Sequence, residues 1–475
     1  MLNSLFRALI LIFLFACSQK VFCLKLPAIF SNDMVLQQQS EVAIWGWDTP
    51  GKEIKIRPSW NEEEYITKTG RSGKWKISII TPVAGGPYEI TISGESSINL
   101  SNVMIGEVWL CSGQSNMEMP VNGFKGQSVM GSNDAILRSK NSNIRFISVP
   151  RSSKTEPQED FEGNWQIAMP GTVAEFSATA YYFGRLLQEI LDIPIGLINV
   201  SYGGSCIQAW MSKETSRSFE DKEIPETGDS ILVPNRTPTA LFNGMLAPVI
   251  GYGIKGCIWY QGETNYQEPD IYPELLKAMV EEWRVLWDVG EFPFYYTQIA
   301  PFNYAQFTPN EFREKNNSAY IRESQLKAMQ IIPNCGMAVI MDTGENDCIH
   351  PANKQAAGNR LAYWALAKTY GIEGFGYASP VYKAMEIDGS TVILSFDHVD
   401  NGLTSFGKEL TNFEIAGENK MFYPANAVLG RKSVSVSSPM VKKPVAVRYA
   451  FKDFVVGELF GTEGLPVSSF RTDDW

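Results

Sequence analysis

Hydrophobic and polar positions change rhythm twice along the chain. From Lys25 to about Val103 they alternate in short stretches, as in Glu41-Val42-Ala43-Ile44-Trp45 and Tyr88-Glu89-Ile90-Thr91-Ile92. A period of two marks half-buried strands. Thr49-Pro50-Gly51 and Gly85-Gly86-Pro87 separate them as turns. This predicts a small β-sandwich over 24–103. From 104 to 373 continuous apolar runs alternate with amphipathic stretches. Strands are predicted at Glu107–Cys111, Ile195–Val200, Ile254–Tyr260, Phe294–Ile299 and Gly336–Met341. Helices are predicted at Ala174–Leu191, Tyr272–Trp287, Tyr320–Gln330 and Pro351–Tyr370; in the second, Leu275, Leu276, Met279, Trp283 and Leu286 recur at helical spacing. Apolar strands separated by helices imply a parallel sheet covered on both faces, hence an α/β middle domain. The polar stretch near 212–236 reads as a loop over that domain. After Gly374 strand-like segments return, as in Thr391–Phe396 and Val445–Tyr449, and predict a C-terminal β-domain over 374–475.

The first 23 residues have another purpose. Arg7 precedes the apolar run Ala8–Ala16, too short to span a bilayer. Residues 1–23 read as an export signal, with Val21 and Cys23 at the cleavage positions. That places the mature chain outside the cytoplasm, secreted or periplasmic. Leu14-Phe15-Ala16-Cys17 loosely matches a lipoprotein box, a second reading that Phe15 disfavours. No later run is long enough for a membrane helix. The 475 residues carry 41 basic and 52 acidic side chains, a formal charge of −11 that repels phosphate backbones and argues against nucleic acid as a partner. Seven cysteines are present, five of them beyond the export segment, and none forms a CxxC pair, so no zinc site is expected. Buried thiols are the simpler expectation, with one disulfide possible in an oxidising compartment.

The candidate chemistry sits where apolar strands stop. One strand runs into Ser112-Gly113-Gln114-Ser115-Asn116, another into Ser201-Tyr202-Gly203-Gly204-Ser205, a third into Gln261-Gly262-Glu263-Thr264-Asn265 and the last into 342–351. Ligands bind beyond the carboxyl ends of open parallel sheets, so the four segments are expected to converge. Only two histidines exist, His350 and His398. His350 can act as a base near neutral pH, and Asp347, three residues earlier, can orient it. Asp342 and Glu345 compete for that role. Pro351 suggests that the imidazole stands at a helix start. Ser115, in a Gly-containing turn, is the candidate nucleophile, although GQSN is not the GxSxG elbow. An acyl-transfer site also needs oxyanion donors. The Ser115 and Gly204 N–H groups are candidates, Gly203 is nearly as suited, and a side-chain amide of Gln261 or Asn265 would be the third. Glu263 reads as structural.

Taken together these segments resemble the sialate O-acetylesterases, a branch of the SGNH (GDSL-like) hydrolases. The matching strings are KLPAIFSNDMVLQ at 25–37, GEVWLCSGQSNMEMPV at 106–121, INVSYGGSCIQAWM at 198–211, IWYQGETN at 258–265 and DCIHPANKQAAGNRLA at 347–362. The resemblance implies a three-layer α/β/α hydrolase domain over 104–373, flanked by the two β-sandwich-like domains. It implies Ser115 as nucleophile, His350 as base and an acid from the same segment, Asp347 or Asp342. It implies a glycine donor in the Gly203-Gly204 turn and an amide donor at Gln261. The substrate would be an O-acetylated sugar, hydrolysed through an acetyl-enzyme without metal or organic cofactor. Acetylated xylan or pectin is an alternative substrate, and a non-catalytic carbohydrate-binding protein is an alternative of another class. Oligomeric state stays open.

Overall fold

The computed structural model describes residues 23–219, 223–307 and 317–475. Residues 1–22 of the expected export signal, Cys17 among them, lie outside the described residues. The fold is mixed α/β, built around one long strand, Ser97–Gly113. Its first half pairs antiparallel with Gly85–Ser93 and parallel with Val35–Gln37. Its second half lies between two parallel neighbours, Ile195–Ser201 and Gly256–Tyr260. The strand continues through position 103, where the change of rhythm predicts a boundary.

Outward on one side of the central strand come Gly256–Tyr260, Phe294–Thr297 and Cys335–Ala338. On the other come Ile195–Ser201, Asn141–Ser148 and Gln166–Ala168. All are parallel except the last. The Asn141–Ser148 strand has no counterpart in the sequence reading. Its polar start hides the short apolar core, and Arg145 within it is buried. That guanidinium is accommodated because carbonyls receive it, those of Ser142 (3.0 Å) and Asp33 (3.1 Å) among them.

Alternate residues of each strand enter two separate cores. Cys257 and Trp259 pack with Trp283 of the Tyr272–Trp287 helix. Ile258 and Tyr260 pack with Phe183 and Leu361, from the helices Ala178–Leu191 and Lys354–Trp364. Helices thus cover both faces, as an apolar parallel sheet requires. Trp259 meets Trp283 edge-to-face with centroids 5.7 Å apart, and Trp109 meets Phe183 at 5.0 Å.

Side-chain caps set two helix starts later than the periodicity suggests. Ser177 accepts the Ala180 N–H (3.1 Å), so that helix begins at Ala178 rather than Ala174. Asn353 accepts the Ala356 N–H (3.1 Å), so the last helix begins at Lys354 rather than Pro351. It ends as an α-helix at Trp364 and continues as a π-helical turn over Ala365–Thr369.

The C-terminal strands form two four-stranded antiparallel sheets and one two-stranded ribbon. They are tied to the middle sheet by buried polar contacts. Gln298 donates to the Ser468 hydroxyl (2.8 Å), and buried Arg322 donates to Ser469 (3.1 Å). No disulfide joins two of the described cysteines. No helix of the described residues is long and apolar enough to cross a membrane.

Topology places the site. The chain leaves the central strand toward Asn141–Ser148, returns at Ile195–Ser201, and then crosses to Gly256–Tyr260 on the opposite side. That reversal opens a crevice at the carboxyl end of the central strand. Gly113 closes the strand at φ +141°, and a Cβ there would lie 2.2 Å from the Tyr260 carbonyl oxygen. Gly113→Ala is therefore expected to push two paired strands apart and cost about 1–3 kcal/mol, the usual scale of overpacking. Thermal denaturation checks this; an unchanged midpoint would count against the tight approach.

Candidate active site

Directly after Gly113 the chain turns into one helical turn, Ser115–Glu118. The Gln114 N–H donates to the Tyr260 carbonyl (2.9 Å), and Met119 N–H closes onto the Ser115 carbonyl (2.8 Å). The following helix clamps the turn from behind. Thr179 Oγ1 donates to the Asn116 carbonyl (2.9 Å), and the Ala178 N–H to that of Met119 (2.8 Å). Asn116 and Met117 are fully buried while Ser115 is half-buried. Ser115 lines a cavity of about 730 Å³ together with His350, Gly203, Gly204 and Glu263. Residues from all four strand-end segments thus share one cavity.

The histidine segment is held against the Ser115–Glu118 turn by one carboxamide. Asn116 Nδ2 donates to Glu263 Oε1 (2.5 Å) and to the Ile349 carbonyl (3.1 Å). Asn116 Oδ1 accepts from the ammonium of Lys354. Lys354 is buried, and burial drives it down to about 7 against the pull of Glu263. Burial likewise raises the Glu263 carboxyl. The second oxygen of Glu263 is buried and has no hydrogen-bond partner among the described residues.

His350 Nδ1 lies 2.6 Å from Gln127 Oε1. An amide oxygen only accepts, so the proton belongs on Nδ1 and the lone pair on Nε2. Phe124 packs edge-on against the imidazole at 5.4 Å. Burial lowers the imidazole to about 4, and the nearby Lys354 ammonium adds to the shift. The expected Asp347–His350 hydrogen bond is not formed. Asp347 is exposed and accepts from its neighbour Asn346 (2.5 Å). Asp342 is held by Arg360 in a two-pronged ion pair (2.6 and 2.7 Å). Glu345 accepts the Ala352 N–H (2.7 Å).

The glycine turn separates its two candidate donors. The Gly203 N–H is taken by Glu118 Oε2 (2.8 Å), which removes it as a free donor. Asn235 fixes the Gly203 carbonyl (2.7 Å), and Gly204 adopts φ +69°. The Gly204 and Ser115 N–H groups have no acceptor among the described residues. Gln261 requires a correction. It is fully buried, and its amide hydrogens go to the Ser205 carbonyl (3.0 Å) and Asn265 Oδ1 (2.7 Å), leaving none for an oxyanion. Asn265 is equally committed, donating to Gln208 (3.0 Å) and Glu268 (2.6 Å). These two amides hold loops together and do not line the cavity.

Several functional neighbours escaped the sequence reading. Glu118 grips Arg151 (2.5 and 2.6 Å), and that guanidinium lies 4.8 Å over the Tyr202 ring. Arg236, from the polar loop, is exposed and lines the cavity without an acidic partner among the described residues. Asn116 and Lys354 stood inside the motif strings, so a signal existed. Gln127 lies in an irregular Gly-rich stretch, 122–131, where no pattern marks it.

Comparison with known proteins agrees with this arrangement. The family model described as carbohydrate esterase, sialic acid-specific acetylesterase, matches residues 105–366. The human sialate O-acetylesterase is 30% identical over 397 residues, covering 76% of this chain and 74% of its own. The rat sialate O-acetylesterase is 27% identical over 455 residues, covering 82% of each. Among solved structures, a carbohydrate acetylesterase from Xanthomonas citri superposes with a TM-score of 0.86 at 34% identity, over 95% of this chain and all of that one. The chain belongs to the sialic acid-specific acetylesterase family of carbohydrate esterases, and it is a carboxylic ester hydrolase acting on O-acetylated sugars.

Proposed function

We propose that the chain is an exported serine esterase of the SGNH type that deacetylates sialic acids through an acetyl-enzyme on Ser115. The carrying observation is that Ser115 and His350 line one cavity beside two unspent backbone N–H groups. Ser115 Oγ attacks the acetyl carbonyl while His350 Nε2, the nitrogen left with a lone pair, takes its proton. The Ser115 and Gly204 N–H groups hold the oxyanion. His350 then returns the proton to the departing sugar hydroxyl, and water repeats the sequence in reverse. The imidazolium formed on the way needs a counter-charge that the neutral Gln127 does not give. Asp342 is bound to a cation and Glu345 to a backbone donor. Asp347 is held only by an amide neighbour, so it is the acid of this segment able to turn toward Nδ1.

Arg236 favours a sialic acid over a neutral acetylated glycan. It is a cavity-lining cation with no ion pair among the described residues, whereas Arg151 is already neutralised by Glu118. A sugar carboxylate is the complementary partner for a guanidinium. The apolar run near the N-terminus supports export.

Ser115→Ala should lower kcat/KM for aryl acetate about a thousandfold or more, with an unchanged thermal midpoint. Full activity in the folded variant would remove Ser115 from the mechanism. In the same assay Asp347→Asn should lose more activity than Asp342→Asn; the reverse order would transfer the acid role. Because the base must be neutral and His350 sits near 4, kcat/KM should fall only as pH drops through about 4. Lys354→Met removes a neighbouring cation and should move that limb upward. A wild-type limb near the ordinary histidine value would contradict the buried, carboxylate-free imidazole. Arg236→Ala should raise KM for 9-O-acetylated sialic acid about tenfold and leave aryl acetate unaffected. Equal effects on both substrates would sink the carboxylate role.

A further inference from the structure

We propose a second saccharide-binding site, specific for acidic sugars, in the cleft between the N-terminal strand pair Glu41–Trp47 and Lys74–Ile80 and the loops around 157–159 and 247–250. The cleft has a volume of about 520 Å³, and its lining shares no residue with the catalytic cavity. That volume is in the range of small-molecule sites, and a junction between structural units is a common place for them.

The strand register builds its aromatic wall. Trp45 stands opposite Lys76, and Trp47 opposite Lys74. Directly paired residues share a face, so two indoles and two ammonium groups lie on one side of the ribbon. Trp75, opposite Gly46, belongs to the other side, where it joins the core. Trp45 and Trp47 remain half-buried, so part of each ring is open to the cleft. Both are held in place. Phe30 packs edge-on to Trp45 at 4.6 Å, and the Lys25 ammonium lies 5.2 Å from the Trp47 ring. Fixed indole faces can take the apolar C–H face of a sugar ring at small entropic cost.

Charge selects the kind of sugar. Lys74 is neutralised by Glu159. Lys76 is exposed and has no acidic partner among the described residues. Its ammonium sits close to Gly251, since a Cβ there would lie 3.8 Å away. In a chain of formal charge −11, an unpaired ammonium beside two indoles is complementary to a carboxylate. Gln158 adds an amide to the lining. The choice of a sialic acid as ligand rests on the reading of the catalytic site; the cleft itself does not.

The test uses the full chain carrying Ser115→Ala, titrated with sialyllactose and, separately, with neutral lactose, by calorimetry and tryptophan fluorescence. Two sites per chain are expected for sialyllactose, one quenching tryptophan emission. Lys76→Gln, at an exposed position that should leave folding intact, is expected to weaken the quenching site about tenfold and spare the other. Trp47→Ala should abolish the quenching event. No quenching site, quenching insensitive to Lys76→Gln, or equal binding of lactose would overturn the proposal. Failure of the sialate reading would instead show as no release of acetate from 9-O-acetylated sialic acid by the wild type, a result independent of Lys76.

Discussion

The carboxamide of Asn116 is the contact on which the site depends. One fully buried side chain joins the end of the central strand to Glu263, to the Ile349 carbonyl and to Lys354. It thereby ties together three of the four strand-end segments. In a low-dielectric interior such a network is strong when satisfied and costly when broken. The backbone beside it is equally constrained, since Gly113 touches the Tyr260 carbonyl and the Ala178–Leu191 helix clamps the turn. Ser115 is therefore presented by a rigid seat rather than by a flexible loop.

The same burial sets the electrostatics. Lys354 and Glu263 are both desolvated, so each moves toward its neutral form. His350 lies beside them without a bonded carboxylate, and burial again favours the neutral ring. A neutral imidazole with its proton on Nδ1 offers a lone pair at Nε2. Gln127, a residue outside every recognised string, sets that tautomer through a hydrogen bond from the ring. Around the mouth, charge is distributed unevenly: Arg151 is cancelled by Glu118, and Arg236 has no acidic partner among the described residues.

Much of the parallel sheet and its helices was legible because their pattern is dictated by burial on both faces. The Tyr272–Trp287 helix has the bounds its apolar spacing predicts. The ends that moved, at Ala178 and Lys354, moved because Ser177 and Asn353 cap them, and caps act through hydrogen bonds that periodicity does not register. The Asn141–Ser148 strand was hidden by its polar start and by a buried arginine that tertiary carbonyls accommodate. Gln261 was misread for a related reason. A strand-end amide looks like a free donor until its partners, Ser205 and Asn265, are seen to occupy both hydrogens.

By itself the sequence determined the α/β class, the alternation of apolar strands with helices, and the four polar segments that follow strands. These are consequences of local pattern, because a strand buried on both faces must be apolar and a ligand site must interrupt that run. Only the tertiary structure decided which polar groups are spent and which are free. Gly203 lost its N–H to Glu118 while Gly204 kept its own, and Asp347 faced solvent while Gln127 took the imidazole. Such choices depend on partners distant in sequence, and on the desolvation that favours the pairing of buried donors with acceptors.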